Sequence, residues 1–568
     1  MEASPARVIE YFNGEKQNLI PLFQRPYTWT ENNWQTLWDD LMVQYEVGET
    51  GTHFMGAIVS VSAHTTPVGV NKFLIIDGQQ RLTTVSILLC ALRDVLDPNS
   101  ASRIQEVYLT NRFRDPEDTL KFVPTQADRD VYRAIALDRR VPDRNKDVRM
   151  ANAYHFFKNK LLNKNTTKDK DDDLVEPAKV LITLERCLQV VMINLGNDDD
   201  PYLIFESLNF KGEPLTQADL VRNYLLMRFR HSISAGGEQE RIYSTYWKPL
   251  EKILESNLTE FLRHYMMKDG DNIKKGGIYT AIKTRLRELQ SIELVELEVQ
   301  SILRFGEFYA KFLLLPLKPE NQEIVPSIRN RLQNIKDIQV TTSYPLLLRL
   351  FDDRQNGNIN DVELEKCLGL IESFMVRRTV CGVPTNALNK LFIQLARNFP
   401  NADHSQWLLY SLSSAGGNSR FPKDVEFALA FTTQPQYGRG ATRFILCQLE
   451  KSFGPKELFL DLFSDSNITI EHIMPQTLTQ EWQDELGSES EQIRSNLVHT
   501  FGNLTLTAYN PNLSNLPFSE KKAKLEELST RMKLNNWILK QTNWGLTEIE
   551  NRAKELLLIA NNIWRSPL

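Results

Sequence analysis

The stretch Ile468-Thr469-Ile470-Glu471-His472-Ile473-Met474-Pro475 decides the fold that we expect for the C-terminal part of the chain. Its apolar and β-branched residues predict a short strand that ends with Glu471 and His472. Pro475 cannot continue strand pairing and turns the chain away. The strand therefore places an acidic side chain and an imidazole next to each other where the backbone leaves the sheet.

A second strand and a helix are predicted further along the chain. Residues Gly502-Asn503-Leu504-Thr505-Leu506-Thr507 alternate apolar and polar side chains as a strand does. A polar stretch over 510–515 then leads into a helix at 519–532, for which Ser519 is the expected N-cap. Together these segments predict a small ββα unit.

A carboxylate beside an imidazole suits metal-dependent hydrolysis of a phosphodiester. Glu471 can hold a hard divalent cation, Mg²⁺ or Mn²⁺, because such cations prefer oxygen ligands. His472 can act as general base. Asn503 is expected to orient that imidazole, and either Asn510 or Asn512 to be a further metal ligand. On the residues alone, a lone Glu-His pair is more often a surface pair without a catalytic role.

A second polar cluster lies in the N-terminal part, where a hydrophobic strand, the loop Asp77–Arg81 and a buried helix follow one another. Backbone N–H groups and the dipole at a helix start favour an anion. We expect Asp77 to position a metal or a water, and the guanidinium groups of Arg25 and Arg81 to bind phosphate oxygens. An ordinary buried corner, with Arg25 paired to a carboxylate, is the alternative.

The other residues of this cluster complete an expected nucleotide-binding set. Gln79 and Gln80 could read a base or sugar, Tyr27 could stack on a base, and Gly78 permits a positive φ. Gln24 and Thr83 belong to the same set. The chain has no Walker P-loop and no G-x-G-x-x-G loop, so nucleotide binding needs another scaffold.

The C-terminal motifs resemble the His-Me finger, or HNH, nucleases, and specifically the C-terminal domain of GmrSD-type (type IV) modification-dependent restriction endonucleases. The matching segments are E-H-I-M-P at 471–475, G-N-L-T-L at 502–506, an Asn-rich loop and a Lys-bearing helix. The resemblance implies that His472 and Asn503 are catalytic. The wider superfamily often has His as the third metal ligand, whereas here Asn510 or Asn512 stands there. We expect His499 to be peripheral, or to contact a phosphate.

The N-terminal motifs resemble the same family. F-Q-R-P-Y at 23–27 and D-G-Q-Q-R-L-T-T at 77–84 are similar to its ParB/sulfiredoxin-like domain, which binds and hydrolyses nucleoside triphosphates, GTP or ATP. The resemblance places Asp77 and Arg81 in NTP hydrolysis and adds Asn209 and Lys211 to the nucleotide pocket. From the residues alone, the segment 204–223 is a loop and a structural helix capped by Thr216.

Four basic residues are the expected DNA contacts. Lys521 and Lys522 lie on the predicted helix of the ββα unit, and Arg377 and Arg378 precede the C-terminal part. The two lysines equally fit a solvated helix face.

Composition excludes several protein classes. The chain is 42% hydrophobic and 24% charged, which is typical of a globular protein. A net charge of −5 means that DNA binding would depend on local basic patches. The five cysteines lack C-x-x-C spacing, which argues against a disulfide framework and a cysteine zinc site. With no visible signal peptide or membrane span, we expect a cytoplasmic protein.

The expected fold class is multidomain α+β. A ParB/sulfiredoxin-like α+β domain over 1–230 is followed by a helical middle over 231–400 and an HNH (ββα-metal) nuclease domain with surrounding helices over 401–568.

The resulting hypothesis is an endonuclease of anti-phage defence that cuts modified phage DNA under the control of an NTPase domain. The resemblance alone supplies DNA as substrate and its modification. No membrane partner is expected, and a homodimer is left open. The alternatives are an NTP-dependent DNA-binding regulator without cleavage and an RNA-cleaving abortive-infection effector.

Overall fold

A computed structural model describes most of the chain. The described residues are 2–21, 24–48, 51–62, 69–112, 114–141, 148–163, 174–196, 216–229, 237–315, 324–454, 468–508, 513–528 and 532–566. They form two compact units, of which one comprises Met1–Pro249 and Tyr279–Gln300 and the other Leu250–Ile278 and Ser301–Leu568.

A six-stranded mixed sheet organises the first unit. Its strands are β1 (Glu2–Arg7), β2 (Lys16–Leu19), β3 (His53–Ser62), β4 (Asn71–Asp77), β5 (Phe122–Val123) and β6 (Leu188–Leu195). They lie in the order β1-β6-β3-β4-β2-β5. The β1–β6 and β3–β4 pairs are antiparallel, whereas β3–β6, β2–β4 and β2–β5 are parallel.

Helices make up most of the remainder. In the first part of the chain they are α1 (Glu31–Val47), α2 (Gln79–Arg93), α3 (Pro98–Ile104), α4 (Gln126–Ala136), α5 (Arg149–Leu161), α6 (Pro177–Cys187), α7 (Gln217–Met227) and α8 (Glu238–Ile242). Next come α9 (Lys248–Leu254), α10 (Leu258–Met267), α11 (Ile278–Glu288), α12 (Ile292–Phe312), α13 (Pro326–Asp337), α14 (Tyr344–Gln355), α15 (Asp361–Val380) and α16 (Leu388–Arg397). The last are α17 (His404–Ser413), α18 (Asp424–Thr433), α19 (Thr442–Ser452), α20 (Gln480–Leu486), α21 (Ser490–Leu497), α22 (Phe518–Leu528), α23 (Asn536–Leu539) and α24 (Leu546–Ile563).

Helix α2 is the centre of the first unit's core. It follows β4 after the single residue Gly78, and every residue from Leu82 to Arg93 is buried. Its sequence is apolar on nearly all sides, as expected of a helix that is covered all round. Apolar side chains of α1 and α5, including Trp34 and Phe157, belong to the same cluster. The predicted buried helix after a strand and loop is confirmed.

The second unit is mostly helical and contains a two-stranded sheet. Strand β7 (Thr469–His472) pairs antiparallel with β8 (Leu504–Thr507), so that Glu471 lies opposite Thr505 and His472 opposite Leu504. The predicted pair of strands and the helix after them, α22, are present, although α22 begins at Phe518, so that Ser519 lies in its first turn and is not its N-cap. The multidomain α+β class is confirmed. Among the described helices, none is long and apolar enough to cross a membrane.

All four residues of β8 are buried, and the two faces of the strand pair are covered differently, since Thr505 bonds the buried Asn535 side chain. Leu504 and Leu506 belong to one cluster with Phe444 and Trp564. A second cluster contains Ile473 and Met474, which follow β7, together with the side chains Trp482, Val498, Phe518 and Trp544. Apolar side chains thus pack against one face of the strand pair and against the residues that follow β7, which holds the end of β7 in place.

Candidate active site and nucleotide loop

Glu471 is buried and paired with a lysine. Its Oε1 accepts a hydrogen bond of 2.6 Å from Nζ of Lys521, and the same ammonium donates to the His472 carbonyl at 2.7 Å. Burial raises the pKa of Glu471, and the Lys521 charge opposes that rise. The ammonium is completely buried and therefore has these two partners in place of water. Lys521 thus fixes the backbone and the carboxylate of the Glu471–His472 dipeptide.

The Lys521 geometry corrects the sequence prediction for this residue. We expected Lys521 to contact DNA phosphate, but a side chain with 0% exposure cannot reach a bound duplex. Lys522, one residue later, is half-buried and donates to the Gln541 carbonyl at 2.8 Å. Its role as a DNA contact stays a prediction.

His472 lies beside a second histidine and a tyrosine. Its Nε2 is 3.1 Å from Nδ1 of His499, and its Nδ1 is 3.4 Å from Nε2 of Gln476. The Tyr437 ring packs edge-on against His472, with centroids 4.4 Å apart. Burial, followed by the charges of His499 and Lys521, lowers the pKa of His472 to about 4. The ring is therefore neutral near pH 7, and one of its two nitrogens carries a lone pair that can accept a proton.

Asn503 anchors the loop after β7 and makes no bond to the imidazole of His472. Its Oδ1 accepts from the Met474 N–H at 2.8 Å and from the Trp544 indole at 2.9 Å. Its Nδ2 donates to the carbonyls of Met474 and Val498. These four bonds use the full capacity of the amide. The expectation that Asn503 orients His472 directly is corrected: it fixes the backbone just beyond His472.

A buried guanidinium supports the same turn from behind. Nη1 of Arg552, on α24, donates to the carbonyls of Phe501, Gly502 and Leu504 at 2.7–3.1 Å. Burial lowers the pKa of Arg552 to about 9. Neither its Nε nor its Nη2 has a partner within the described structure. The turn that carries Asn503 is therefore held from both sides.

A divalent cation would find one suitable acidic group here. The Glu471 carboxylate fits a cation that prefers oxygen ligands. It would then contact both the cation and the Lys521 ammonium. Asn510 and Asn512, the other predicted ligands, lie outside the described residues. Within the described ranges, no group of three His, Cys, Asp or Glu side chains could hold a metal ion.

Arg377 and Arg378 are structural residues of α15. Arg377 is 0% exposed and donates to the Trp564 carbonyl and to Asp424, each at 2.7 Å. Arg378 is equally buried and donates to the carbonyls of Arg420 and Pro384. We expected both to contact DNA. The structure corrects this, because each guanidinium is buried and donates to backbone carbonyls of its own unit.

The N-terminal strand and helix are present as predicted, but the expected loop Asp77–Arg81 is reduced to Gly78, because Asp77 ends β4 and Gln79–Arg81 already belong to α2. Gly78 is the N-cap of α2 with φ of 93°, which confirms the expected positive φ. Arg81 donates to Asp77 at 3.3 Å and to the Met55 carbonyl at 2.8 Å. Gly56 (φ 101°) makes room for this guanidinium, since a Cβ there would lie 2.2 Å from its Nη1. Asp77 and Arg81 are thus brought together, with both side chains partly exposed.

Other members of the predicted nucleotide-binding set are used inside the protein. Gln24 donates to the carbonyls of Ile75 and Ile76 at 2.7 and 2.8 Å, and Tyr27 bonds Thr84 at 2.7 Å. Both side chains are at most 5% exposed. The expectations that Tyr27 stacks on a base and that Gln24 binds nucleotide are therefore corrected.

The remaining members of that set have mixed roles. Gln80 accepts from the Thr28 N–H and donates to the Pro26 carbonyl, and the buried Thr83 donates to the Gln79 carbonyl. Gln79 and Arg25 are half-buried, and their roles stay predictions. Asn209 and Lys211 lie outside the described residues. Thr216 caps α7 in a reciprocal bond with Asp219, as predicted.

Sequence reasoning missed three contributors to the C-terminal site. The expectation that His499, four residues before Asn503, is peripheral is corrected because its ring faces His472, whereas a phosphate contact stays a prediction. Tyr437 and Arg552 lie far from the motifs in the chain and carried no signal. Only the packing of helices α18–α24 around the strand pair brings Tyr437 and Arg552 to the C-terminal site.

Models of known protein families match an N-terminal and a C-terminal region of the chain. The family model described as the GmrSD restriction endonuclease N-terminal domain matches residues 8–226. The model described as the GmrSD restriction endonucleases C-terminal domain matches residues 421–559. Together they cover well over half of the chain and include both Asp77–Arg81 and Glu471–His472. A search of curated proteins found no match.

The two matches define a restriction endonuclease, an enzyme class whose substrate is DNA and which in general uses a divalent metal ion. The chain belongs to the GmrSD restriction endonuclease family, as the sequence motifs predicted.

Proposed function

We propose that this restriction endonuclease cuts modified phage DNA by HNH chemistry in its C-terminal unit, under the control of an NTP-hydrolysing domain at its N-terminus. The observation that carries the proposal is the arrangement at the end of β7. A neutral imidazole at His472 stands next to a carboxylate that is braced by a buried ammonium.

In this proposal His472 is the general base. Its neutral ring accepts a proton from the water that attacks the scissile phosphate. Glu471 would hold a divalent cation, which when bound would polarise the phosphate and stabilise charge on the leaving oxygen. Asn503 and Arg552 keep the turn beside His472 in one conformation, which preserves the position of the base relative to the phosphate.

Support for the nucleotide-binding role comes from the start of α2. The orphan N–H groups of a helix's first turn favour an anion, and Arg81 and Asp77 lie at the same place. We assign this loop to binding and hydrolysis of GTP or ATP. The three segments 1–230, 231–400 and 401–568 are our proposed division into nucleotide, connecting and nuclease parts.

The test is a cleavage assay on a panel of DNA substrates. The full chain is incubated with unmodified, hydroxymethylated and glucosylated DNA, with Mg²⁺ or Mn²⁺ or with chelator, and with or without GTP or ATP. We expect metal-dependent cutting of modified DNA that His472→Ala abolishes and His155→Ala does not. Equal cleavage of unmodified and modified DNA would show that cleavage does not depend on the modification. RNA cleavage without DNA cleavage, or binding without either, would favour the alternatives.

A further inference from the structure

His499 holds a fixed position against the proposed general base. Its ring stands nearly perpendicular to His472, at 74° with centroids 5.2 Å apart, and the two nitrogens that face each other are 3.1 Å apart. The Tyr437 ring, which also packs against His472, stacks nearly parallel to the His499 ring, at 11° with centroids 5.5 Å apart. Contacts with these two rings restrict the rotation of the His499 imidazole.

The backbone of His499 is also fixed. Its carbonyl accepts hydrogen bonds from the N–H groups of Gln436 and Tyr437. Gln436 is itself buried, and its amide donates to the carbonyls of Val380 and Ala430. The segment that carries Tyr437 therefore positions both the backbone and the ring of His499.

This contact bears on which nitrogen of His472 keeps its lone pair. A neutral imidazole carries one N–H, and the hydrogen bond made by one nitrogen sets the tautomer of the ring. Nε2 of His472 faces His499, whereas Nδ1 faces the amide nitrogen of Gln476, which is a donor. Because Gln476 is a donor with an exposed side chain, we place the acceptor nitrogen and the attacking water on the Nδ1 side of the ring.

We propose that His499 is a positioning residue for DNA hydrolysis: its Nδ1 accepts the Nε2–H of His472 and so keeps the lone pair of His472 at Nδ1, toward the attacking water. The inference rests on the proposed function, in which His472 is the base. When Nδ1 takes a proton from water, the Nε2–H bond to His499 persists and continues to hold the ring. Hydrogen-bond partners that orient metal-ligating histidines typically contribute about 10–100-fold, and we expect a factor of the same size for a partner of the base.

A matched pair of substitutions isolates the acceptor. His499→Asn places an amide oxygen near the position of Nδ1, and His499→Leu has similar size without an acceptor. We expect His499→Leu to lower kcat for DNA cleavage about 10–100-fold with KM for DNA unchanged. His499→Asn should stay within a few-fold of the wild type. Circular dichroism and thermal melting of both variants show whether they fold.

The second readout is the tautomer itself. In protein labelled with ¹³C-histidine, the Cδ2 shift of His472, assigned by its loss in His472→Ala, should report Nε2–H in the wild type and in His499→Asn. In His499→Leu it should move toward the Nδ1–H form.

Three results would overturn the inference: a wild-type rate in folded His499→Leu, an effect on KM alone, which would indicate a phosphate contact, or an Nδ1–H tautomer in the wild type. If instead His472→Ala still cuts DNA, the assignment of the base fails.

Discussion

The two matched motifs use their polar side chains in different ways. In the N-terminal motif, Gln24 and Tyr27 make buried hydrogen bonds to the Ile75 carbonyl and the Thr84 hydroxyl. The Asp77–Arg81 ion pair beside the start of α2 is partly exposed. At the end of β7, by contrast, Glu471 and His472 are each contacted by a side chain that neutralises or orients them. The first region is a framework around a small polar pair, whereas the second is a set of groups directed at one dipeptide.

The difference shows that a matching motif does not assign the same kind of role to each of its residues. A buried glutamine or tyrosine in the N-terminal motif stabilises the loop through hydrogen bonds, because unsatisfied buried carbonyls and hydroxyls are costly. At the C-terminal site the partners of the motif come from the turn after α21, from α22 and from the segment before α19, and they contact the proposed reacting groups Glu471 and His472.

The largest expected effect on stability concerns the Glu471–Lys521 pair. Lys521→Met leaves a buried carboxylate without its partner, which typically costs about 3–5 kcal/mol of folding free energy. Urea unfolding followed by tryptophan fluorescence measures this. Lys522→Met is the matched control and should change stability by less than about 1 kcal/mol.

The double variant Glu471→Gln/Lys521→Met checks the cause. Because it removes both charges, it should recover part of the stability that Lys521→Met loses. If Lys521→Met is as stable as Lys522→Met, the ammonium is not the brace of the dipeptide that we describe.

A smaller effect is expected from coupling between nucleotide and cleavage. A nuclease that is regulated by NTP needs a coupling free energy between the two sites, typically about 1–3 kcal/mol. We therefore expect GTP, ATP or a slowly hydrolysed analogue to change the cleavage rate of modified DNA by roughly 5–150-fold, in either direction. Arg81→Ala should remove this response. Identical rates with and without nucleotide for several DNA modifications would mean that the two regions act independently.

The smallest effect tests the framework role of the N-terminal motif. Tyr27→Phe removes a hydroxyl that bonds Thr84 and Trp34, which should cost about 0.5–1.5 kcal/mol of stability. Because the ring is buried, KM for NTP should not change. Thermal melting and NTPase kinetics on the same preparation check both statements. A rise in KM for NTP without loss of stability would support the original prediction that Tyr27 contacts the nucleotide.

Much of the fold followed from local sequence. The strand ending at His472, the second strand after Asn503 and the buried helix after Gly78 were predicted because periodicity and the proline and glycine positions act locally. The burial of Lys521, Arg377 and Arg378 could not be predicted. A basic residue on a helix has the same sequence pattern whether carbonyls and carboxylates of distant segments satisfy it or water does. His499 and Tyr437 likewise depend on contacts across the tertiary structure.

The measurement that tests the central claim most directly compares two variants in two assays. His472→Ala and Arg81→Ala are each assayed for cleavage of modified DNA and for NTP hydrolysis. We predict that His472→Ala loses about 10²–10⁴-fold in DNA cleavage, the usual contribution of a general base, and keeps NTP hydrolysis. Arg81→Ala should lose NTP hydrolysis and still cut in the absence of nucleotide at the rate of the wild type without nucleotide. DNA cleavage by His472→Ala near the wild-type rate would contradict the account.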